Sequence, residues 1–483
     1  MIKLSVAFVV VSGSVAAAGT FHVATSGNDG AVGTSAAPWR TIQRAADAAT
    51  AGDTVVVHAG TYAGFVVDAR GTETAPIVFS GDGAVTIDGA ATTDRDAIHI
   101  DGGAWIRIEG LTVLGARRAG ISALDCEHVT VRGNRIDGNG TWGVFSAFCD
   151  DLVVEDNELS RSATQHGVYA SNSADRPVIR RNRIWGNAMC GVHMNGDISF
   201  GGDGVISGAI VEANVIYDNG RLGGSAINGD GVTGAVIRNN VLDGNHASGI
   251  SLYSIDGGAP STGNALVNNT IRMADDARWA VNIQDGSTGN VVRNNVLLDP
   301  APGHGAIDLC GACTTGLISD HNAVVGRFSI DGQLLDLAAW RARTGNDSAS
   351  FVASDAELFA DAAAGDLALR PGAPAIDSGV SDGAPPDDVT GTARPQGGGI
   401  DIGAYERCDG TCAGGGDDDG TGGGGDGSGG SGDDGEPPST PASAGCTTTT
   451  TTTTTGSLPW LAVGALLWRR RSRISRRARS RRA

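Results

Sequence analysis

One phrase recurs along this chain and narrows its possible folds more than any other feature. It pairs aliphatic residues with a fixed asparagine, in VTVRGNRI, VVEDNEL, VIRRNRI, IVEANVI, VIRNNVL, LVNNTI, VVRNNVL and ISDHNAV. The aligned asparagines are Asn134, Asn157, Asn182, Asn214, Asn240, Asn269, Asn295 and Asn322, with spacings of 23, 25, 32, 26, 29, 26 and 27 residues. WIRIEGLTV adds an upstream copy with Leu111 in the asparagine slot. A period in the mid-twenties, made of short strands and Gly-rich turns, is one coil of a solenoid. Parallel strands stack about 4.8 Å apart, so equivalent asparagines form a ladder whose amides hydrogen-bond along it. A leucine-rich repeat would need regularly placed leucines, which are missing. The 75 glycines and 5% aromatic residues also suit a solenoid better than a single ball-shaped core. The expected fold is all-β, a right-handed parallel β-helix.

A second strand precedes each phrase, in GISALDC, GVFSAFC, GVYASNS, GVHMNGD, SAINGDG, GISLYSID, AVNIQDG and GAIDLCG. Alternation points Val168, Val192, Ile227, Ile250, Val281 and Ile307 inward and the following residue outward. The first outward column then reads Ser122, Phe145, Tyr169, His193, Asn228, Ser251, Asn282, Asp308, and the second holds Ser171, Asn195, Asp230, Tyr253 and Gln284. An open coil end is a bare sheet edge and needs cover. Residues 38–49 (PWRTIQRAADAA) are expected to form an amphipathic capping helix. The surrounding segment, TSAAPWRTIQRAADAATAGDTVVVHAGTY, resembles the N-terminal cap of the pectate-lyase-like superfamily of β-helix polysaccharide lyases. LRPGAPAIDSG and GTARPQGGGIDIGAYE resemble the closing module of surface-sorted bacterial β-helix proteins. The resemblance covers nearly all of the body and implies architecture more than chemistry.

Four zones follow. Residues 1–18 read as a secretory signal, with Lys3, an apolar stretch from Leu4 to Ala16 and a small-residue cleavage site. Residues 19–405 are the β-helix with its end caps. Residues 406–457 are a Gly/Asp/Thr linker with too little apolar surface to fold. Residues 458–483 are a short hydrophobic segment and an Arg-rich tail. Cys446, the segment from Leu458 to Trp468 and the arginines resemble a myxobacterial C-terminal sorting signal. That implies export, a cell-surface, outer-membrane or secreted location, and contact of the tail with membrane or sorting machinery. Nine basic residues lie in the tail and Lys3 is the single lysine, so the stretch between carries 25 basic against 54 acidic residues. Such a surface excludes nucleic acid as a partner. The body is expected to be a monomer.

Export favours disulfides. Cys126 and Cys149 occupy the same place in successive coils and form either a disulfide or a buried cysteine ladder; Cys310–Cys313 and Cys408–Cys412 read as small loop disulfides.

The outward columns carry amides, hydroxyls, rings, imidazoles and carboxylates, a set that suits an extended extracellular polysaccharide. The longest coil holds an insertion at residues 196–208 beside them, and solenoid insertions gather on the functional side. His166, Tyr169 and His193 are the candidate catalytic residues. Asn195, Asp197, Asn228, Asp230, Ser251, Tyr253 and Asp256 are the candidate substrate-binding residues. β-Elimination on a uronate glycan needs a base, for which His166 or His193 is available, and an acid, for which Tyr169 or Tyr253 is available. It also needs a carboxylate neutraliser: Ca²⁺ held by Asp197, Asp203 or Asp230, or an arginine such as Arg221. Several β-helix lyase families use a catalytic lysine, and the mature chain has none. Hydrolysis by paired carboxylates among Asp197, Asp230 and Asp256, epimerisation, and a non-catalytic adhesin or glycan-binding surface are the alternatives. No metal is fixed by the sequence, and no phosphate-binding glycine loop opens a helix.

Overall fold

The computed structural model describes residues 18–410. The chain winds as a parallel β-helix with three faces. One face is a twelve-stranded sheet, here the first sheet, which runs from Phe65–Val67 through Val168–Ser171 and Val192–Asn195 to Phe328–Ile330 and a final strand, Gln333–Leu335. The second and third faces form one continuous twenty-two-stranded sheet, because Thr54–Ala63 and Ile77–Asp88 run through the corner between them. The first half of Ile77–Asp88 pairs with Ala104–Glu109 on the second face, and its second half pairs with Thr112–Leu114 on the third.

The asparagine column is a ladder. Asn240 Oδ1 accepts both the backbone N–H (3.1 Å) and the side-chain amide (2.9 Å) of Asn214, and Asn240 Nδ2 donates to the Val211 carbonyl at 2.8 Å. The same amide-to-amide bond joins all eight asparagines in order. The residue before each asparagine turns the corner in the left-handed region. It is Gly133, Asp156, Arg181, Ala213, Asn239, Asn268, Asn294 and His321, with φ between 53° and 62°. Asparagine bonds hold seven non-glycine residues in this otherwise costly conformation. A second ladder, Asn187–Asn219–Asn245, lies at the corner after the third face, with Asn139 and Ser162 continuing it upstream. The repeated phrase did not reveal it.

Alternation holds along the first sheet. Val168, Val192, Ile227, Ile250, Val281 and Ile307 are fully buried in the core. Cys126 and Cys149 form a disulfide with Cα atoms 4.4 Å apart, which settles that pair as a bond between successive coils. Cys310 and Cys313 are also bonded. Cys412, and with it the Cys408–Cys412 loop, lies outside the described residues, as do the leader up to residue 17, most of the linker and the whole sorting tail.

Both ends are covered, though not quite as expected. The N-terminal helix is Ile42–Ala46 only, shorter than residues 38–49, because Thr41 caps it and the chain leaves helical bonding at Asp47. Gln43 closes the first sheet's edge directly: its side chain accepts from Val66 N–H at 2.8 Å and donates to Val66 O at 3.1 Å. At the other end Gln333–Leu335 pairs antiparallel with Phe328–Ile330, and Trp340 of the helix Leu337–Thr344 stacks on Phe328 at 4.7 Å. The motifs read as a closing module do not sit on this end. They lie along the outside of the third face, where Leu358, Phe359, Ile402 and Ala404 pack on Val241, Val296, Leu298 and Ala323.

Candidate functional site

Strand register places the outward residues of the first sheet in single file. His99, Ser122, Phe145, Tyr169, His193, Asn228, Ser251, Asn282 and Asp308 are consecutive neighbours. Beside them run Ser171, Asn195, Asp230 and Tyr253. His99 belongs to this file and was missed. The segment AIHID repeats the first-sheet strand one coil earlier, but its coil carries no ladder asparagine to mark it.

The centre of the file is an aromatic and imidazole stack. Trp142 stacks on Phe145 at 4.3 Å, Phe145 lies 5.6 Å from Tyr169, and Tyr169 stacks on His193 at 5.0 Å. His193 Nδ1 and His166 Nε2 are 3.0 Å apart, and His166 Nδ1 accepts the Cys190 amide at 3.1 Å. That amide fixes the proton positions. His166 must carry its proton on Nε2 and donate it to His193 Nδ1, so His193 carries its own proton on Nε2. Burial drives the His166 imidazolium well below the ordinary range, with His193 adding to it, and pushes His193 down to about 3. The pair is therefore neutral with both acceptor lone pairs engaged. One buried donor, His193 Nε2–H, is left without a partner. This geometry removes His166 and His193 as proton acceptors.

The same logic bears on metal. Among the described residues, one trio of His, Cys, Asp or Glu atoms is close enough to share an ion: His166, Cys190 and His193, all within 4.8 Å. A histidine that binds metal through Nε2 needs a proton on Nδ1, and the Cys190 N–H points at that atom. Burial also raises the Cys190 thiol to about 12. The trio is a hydrogen-bonded core and does not fit an ion. Nor do the carboxylates suggested for Ca²⁺ converge. Asp230 accepts the amides of Ile255, Asp256 and Gly257, each at 2.9 Å. Asp197 caps the short helix Ile198–Phe200 through Ser199, and Asp203 accepts Val205 N–H at 3.0 Å.

Tyr169 and Tyr253 are shifted upward by burial and stay neutral phenols. Asn195 Nδ2 donates to Tyr169 Oη at 3.4 Å, and Asn228 Nδ2 donates to Tyr253 Oη. Ser225 Oγ bridges Asn228 Oδ1 (3.2 Å) and Ser251 Oγ (2.8 Å). The ten proposed residues thus form one connected strip. Asp230 within it anchors a loop, and Asp197 and Asp256 stand on the loops at its edge. Burial raises Asp230 despite its three amides, and burial with Asp256 nearby raises Asp197.

Those loops press together. Ile198 N–H donates to the Asp256 carbonyl at 3.0 Å and Gly258 N–H to the Gly204 carbonyl at 2.7 Å. A Cβ on Gly258 would stand 2.1 Å from the Asp203 carbonyl, so the approach requires glycine. The inserted coil and the loop at 254–260 form a wall beside the strip. Arg221 is paired with Asp218 at 2.6 Å. Arg278 is the more available cation: it is exposed, lies close enough to Cys190 to affect its ionisation, donates to the Gly224 carbonyl at 3.3 Å, and has no carboxylate within ion-pair distance among the described residues.

The chain matches the family model of the right-handed beta helix region over residues 96–271 and 165–324. The solved structure of pectate lyase Pel9A superposes with a TM-score of 0.57 at 16% identity, covering 80% of this chain and 96% of that one. This is the right-handed β-helix of the pectate-lyase-like fold. Among curated proteins, pectate lyase PEL9 of Emericella nidulans is 24% identical over 71% of this chain and 88% of its own length. Uncharacterized protein YwoF of Bacillus subtilis is 24% identical over 73% and 91%. The β-helix here lacks lysine throughout its described length, so any proton transfer on it uses other groups.

Proposed function

We propose that this chain is an exported, cell-surface polysaccharide lyase-like protein that binds a uronate-containing glycan along the first sheet and cleaves it by β-elimination. The observation that carries this reading is the contrast between faces. The file from His99 to Asp308 contains no Arg, Lys or Glu and presents rings, amides and hydroxyls. The outward file of the second sheet instead alternates Arg132, Glu155, Arg180, Glu212 and Arg238 in cross-coil ion pairs, such as Arg180–Glu155 and Arg238–Glu212 at 2.8 Å each. One face is built for solvent and the other for a ligand of rings and hydroxyls. Arg278 supplies a positive charge that holds a uronate of the bound chain beside an acidic surface. The pectate lyase relatives support the substrate class. Hydrolysis by paired carboxylates is less well supported, because Asp230 is bound by three loop amides.

The test is incubation of the purified protein with pectate, alginate and other uronate polymers while following absorbance of an unsaturated product. Product from at least one polymer is expected. Tyr169→Phe and His193→Ala should each lower kcat/KM at least tenfold, and Arg278→Gln should raise KM for charged polymers only. Binding without product across the panel would instead make the face a glycan-binding or adhesin surface.

A further inference from the structure

The buried pair His166–His193 has no acceptor lone pair to offer, yet β-elimination requires one. Three coil rises from Tyr169, about 14 Å at the parallel-strand spacing, the same file holds His99. Its surroundings fix its protons as firmly as those of the buried pair, but with the opposite outcome.

Asp96 is buried beside Arg118, whose Nε donates to Asp96 Oδ1 at 2.7 Å and whose Nη2 binds Oδ2. Burial opposes the charge, but Arg118, the Ala119 amide and Ser122 hold this carboxyl below its ordinary range. Asp96 is therefore an ionised acceptor, and Ser122 gives it its single hydroxyl proton at 2.8 Å. Ser122 Oγ is left as an acceptor for His99 Nδ1, 2.7 Å away. Neutral His99 then carries its proton on Nδ1 and presents the Nε2 lone pair. Nε2 is not among the buried unpartnered atoms, it has no hydrogen bond within the described residues, and the His99 side chain is 16% exposed. Ser122 itself is fully buried and cannot serve as a nucleophile. Trp142 and Phe145 continue the surface on the next coil, with Arg118 5.7 Å and 5.4 Å from their ring centres.

We propose that His99 is the catalytic base of this face, with Ser122 and Asp96 as positioning residues that hold its Nε2 lone pair toward the glycan. This rests on the lyase-like reading and adds the reaction centre to it. Nε2 takes the proton from C5 of the uronate. The C5–H electron pair becomes the C4–C5 double bond, and the C4–O pair leaves with the glycosidic oxygen. That oxygen receives the proton back from the Nε2–H of the imidazolium. The Tyr169–Tyr253 strip then binds sugars further along the chain.

The experiment uses the full-length protein and two readouts. Nitrogen-15 correlation spectra of the histidine rings should show His99 as the Nδ1–H tautomer, and His166 and His193 as Nε2–H tautomers. Ser122→Ala should move His99 toward the other tautomer. On a polymer that the wild type cleaves, His99→Ala and His99→Gln should lower kcat at least a hundredfold with KM within threefold, and Ser122→Ala should lower kcat at least tenfold. Tyr169→Phe should act mainly through KM. Wild-type-like turnover in both His99 variants, or an Nε2–H tautomer at His99, would overturn the assignment while leaving the lyase reading intact. A wild type that cleaves no polymer would fell the lyase reading itself, and this assignment with it.

Discussion

At the scale of single residues, the ladder asparagine does more than fill a slot. Removing the Asn240 side chain takes the acceptor from the Asn214 backbone N–H and side-chain amide, and removes a donor to the Val211 carbonyl. Each orphaned buried group costs about 1–3 kcal/mol, so Asn240→Ala should lose roughly 3 kcal/mol or more in chemical denaturation. A loss under about 0.5 kcal/mol, the level of an ordinary surface change, would show that the ladder is ornamental. The buried histidines set a pH dependence of unusual sign. His193 titrates at about 3 when folded and near 6.5 when unfolded. Between those values the unfolded chain binds the extra proton, so stability rises with pH across that window and is lost on acidification from about 6.5 toward 3. The slope is roughly 1.4 kcal/mol per pH unit for each such group. His193→Gln should flatten the curve of stability against pH between 4 and 6, whereas an unchanged slope would rule His193 out as its source. These particulars also show what the sequence could disclose. Asn240 was legible because a ladder needs the same side chain in every coil. The turn residue before it was not, because Arg181, Ala213 and His321 betray no left-handed backbone. The proton positions of His166 and His193 are hidden for a similar reason: the deciding partner is the backbone amide of Cys190, which has no sequence signature.

At the scale of elements, inward and outward alternation was readable along the whole first sheet, since period two is imposed by the pleat itself. His99 escaped because its coil has Leu111 where the others have asparagine. The third-face module also kept its meaning hidden: GTARPQGGGIDIGAYE looked like an end cap, but its polar residues serve a buried ion pair. Arg394 Nη1 meets Glu406 Oε2 at 2.8 Å with both side chains fully buried. Arg394 also donates to the Gly403 carbonyl at 2.9 Å, and Glu406 accepts the amides of Gln396 and Asp401, each at 2.9 Å. Glu406→Ala would strand a guanidinium in the interior, a change worth about 3–5 kcal/mol. The module should then detach and bare Val296, Leu298 and Ala323. Hydrogen exchange should report this as lost protection over residues 355–407 with the coils still protected; retained protection in both would mean the pair is dispensable.

At the scale of the whole described body, a stack of parallel coils has two edges, and an uncovered edge is a template for another chain. Gln43 answers the first edge through the Val66 backbone. At the far end the reversal of Gln333–Leu335 blocks parallel addition to the first sheet, and the loop after the helix Leu337–Thr344 terminates the ladder. Asn322, its last asparagine, has no following amide; its backbone N–H donates to Ser350 Oγ at 2.8 Å and its Nδ2 to Asp347 Oδ1 at 3.2 Å. Asp347 in turn accepts Trp340 Nε1–H at 2.7 Å, so one buried tryptophan ties the cap to the ladder. The wild type should sediment as a monomer at micromolar concentration. Trp340→Ala removes both the ring on Phe328 and the bond to Asp347, at a cost of about 3–5 kcal/mol for a buried large-to-small change. In a solenoid each coil leans only on its neighbours, so this loss should stay local, freeing the last strands while the coils before them remain folded. Sedimentation velocity should then show concentration-dependent association through the exposed edge, with limited proteolysis cutting first between residues 331 and 350. A variant that is cut there yet remains monomeric at every concentration would show that self-association is prevented by something other than the cap.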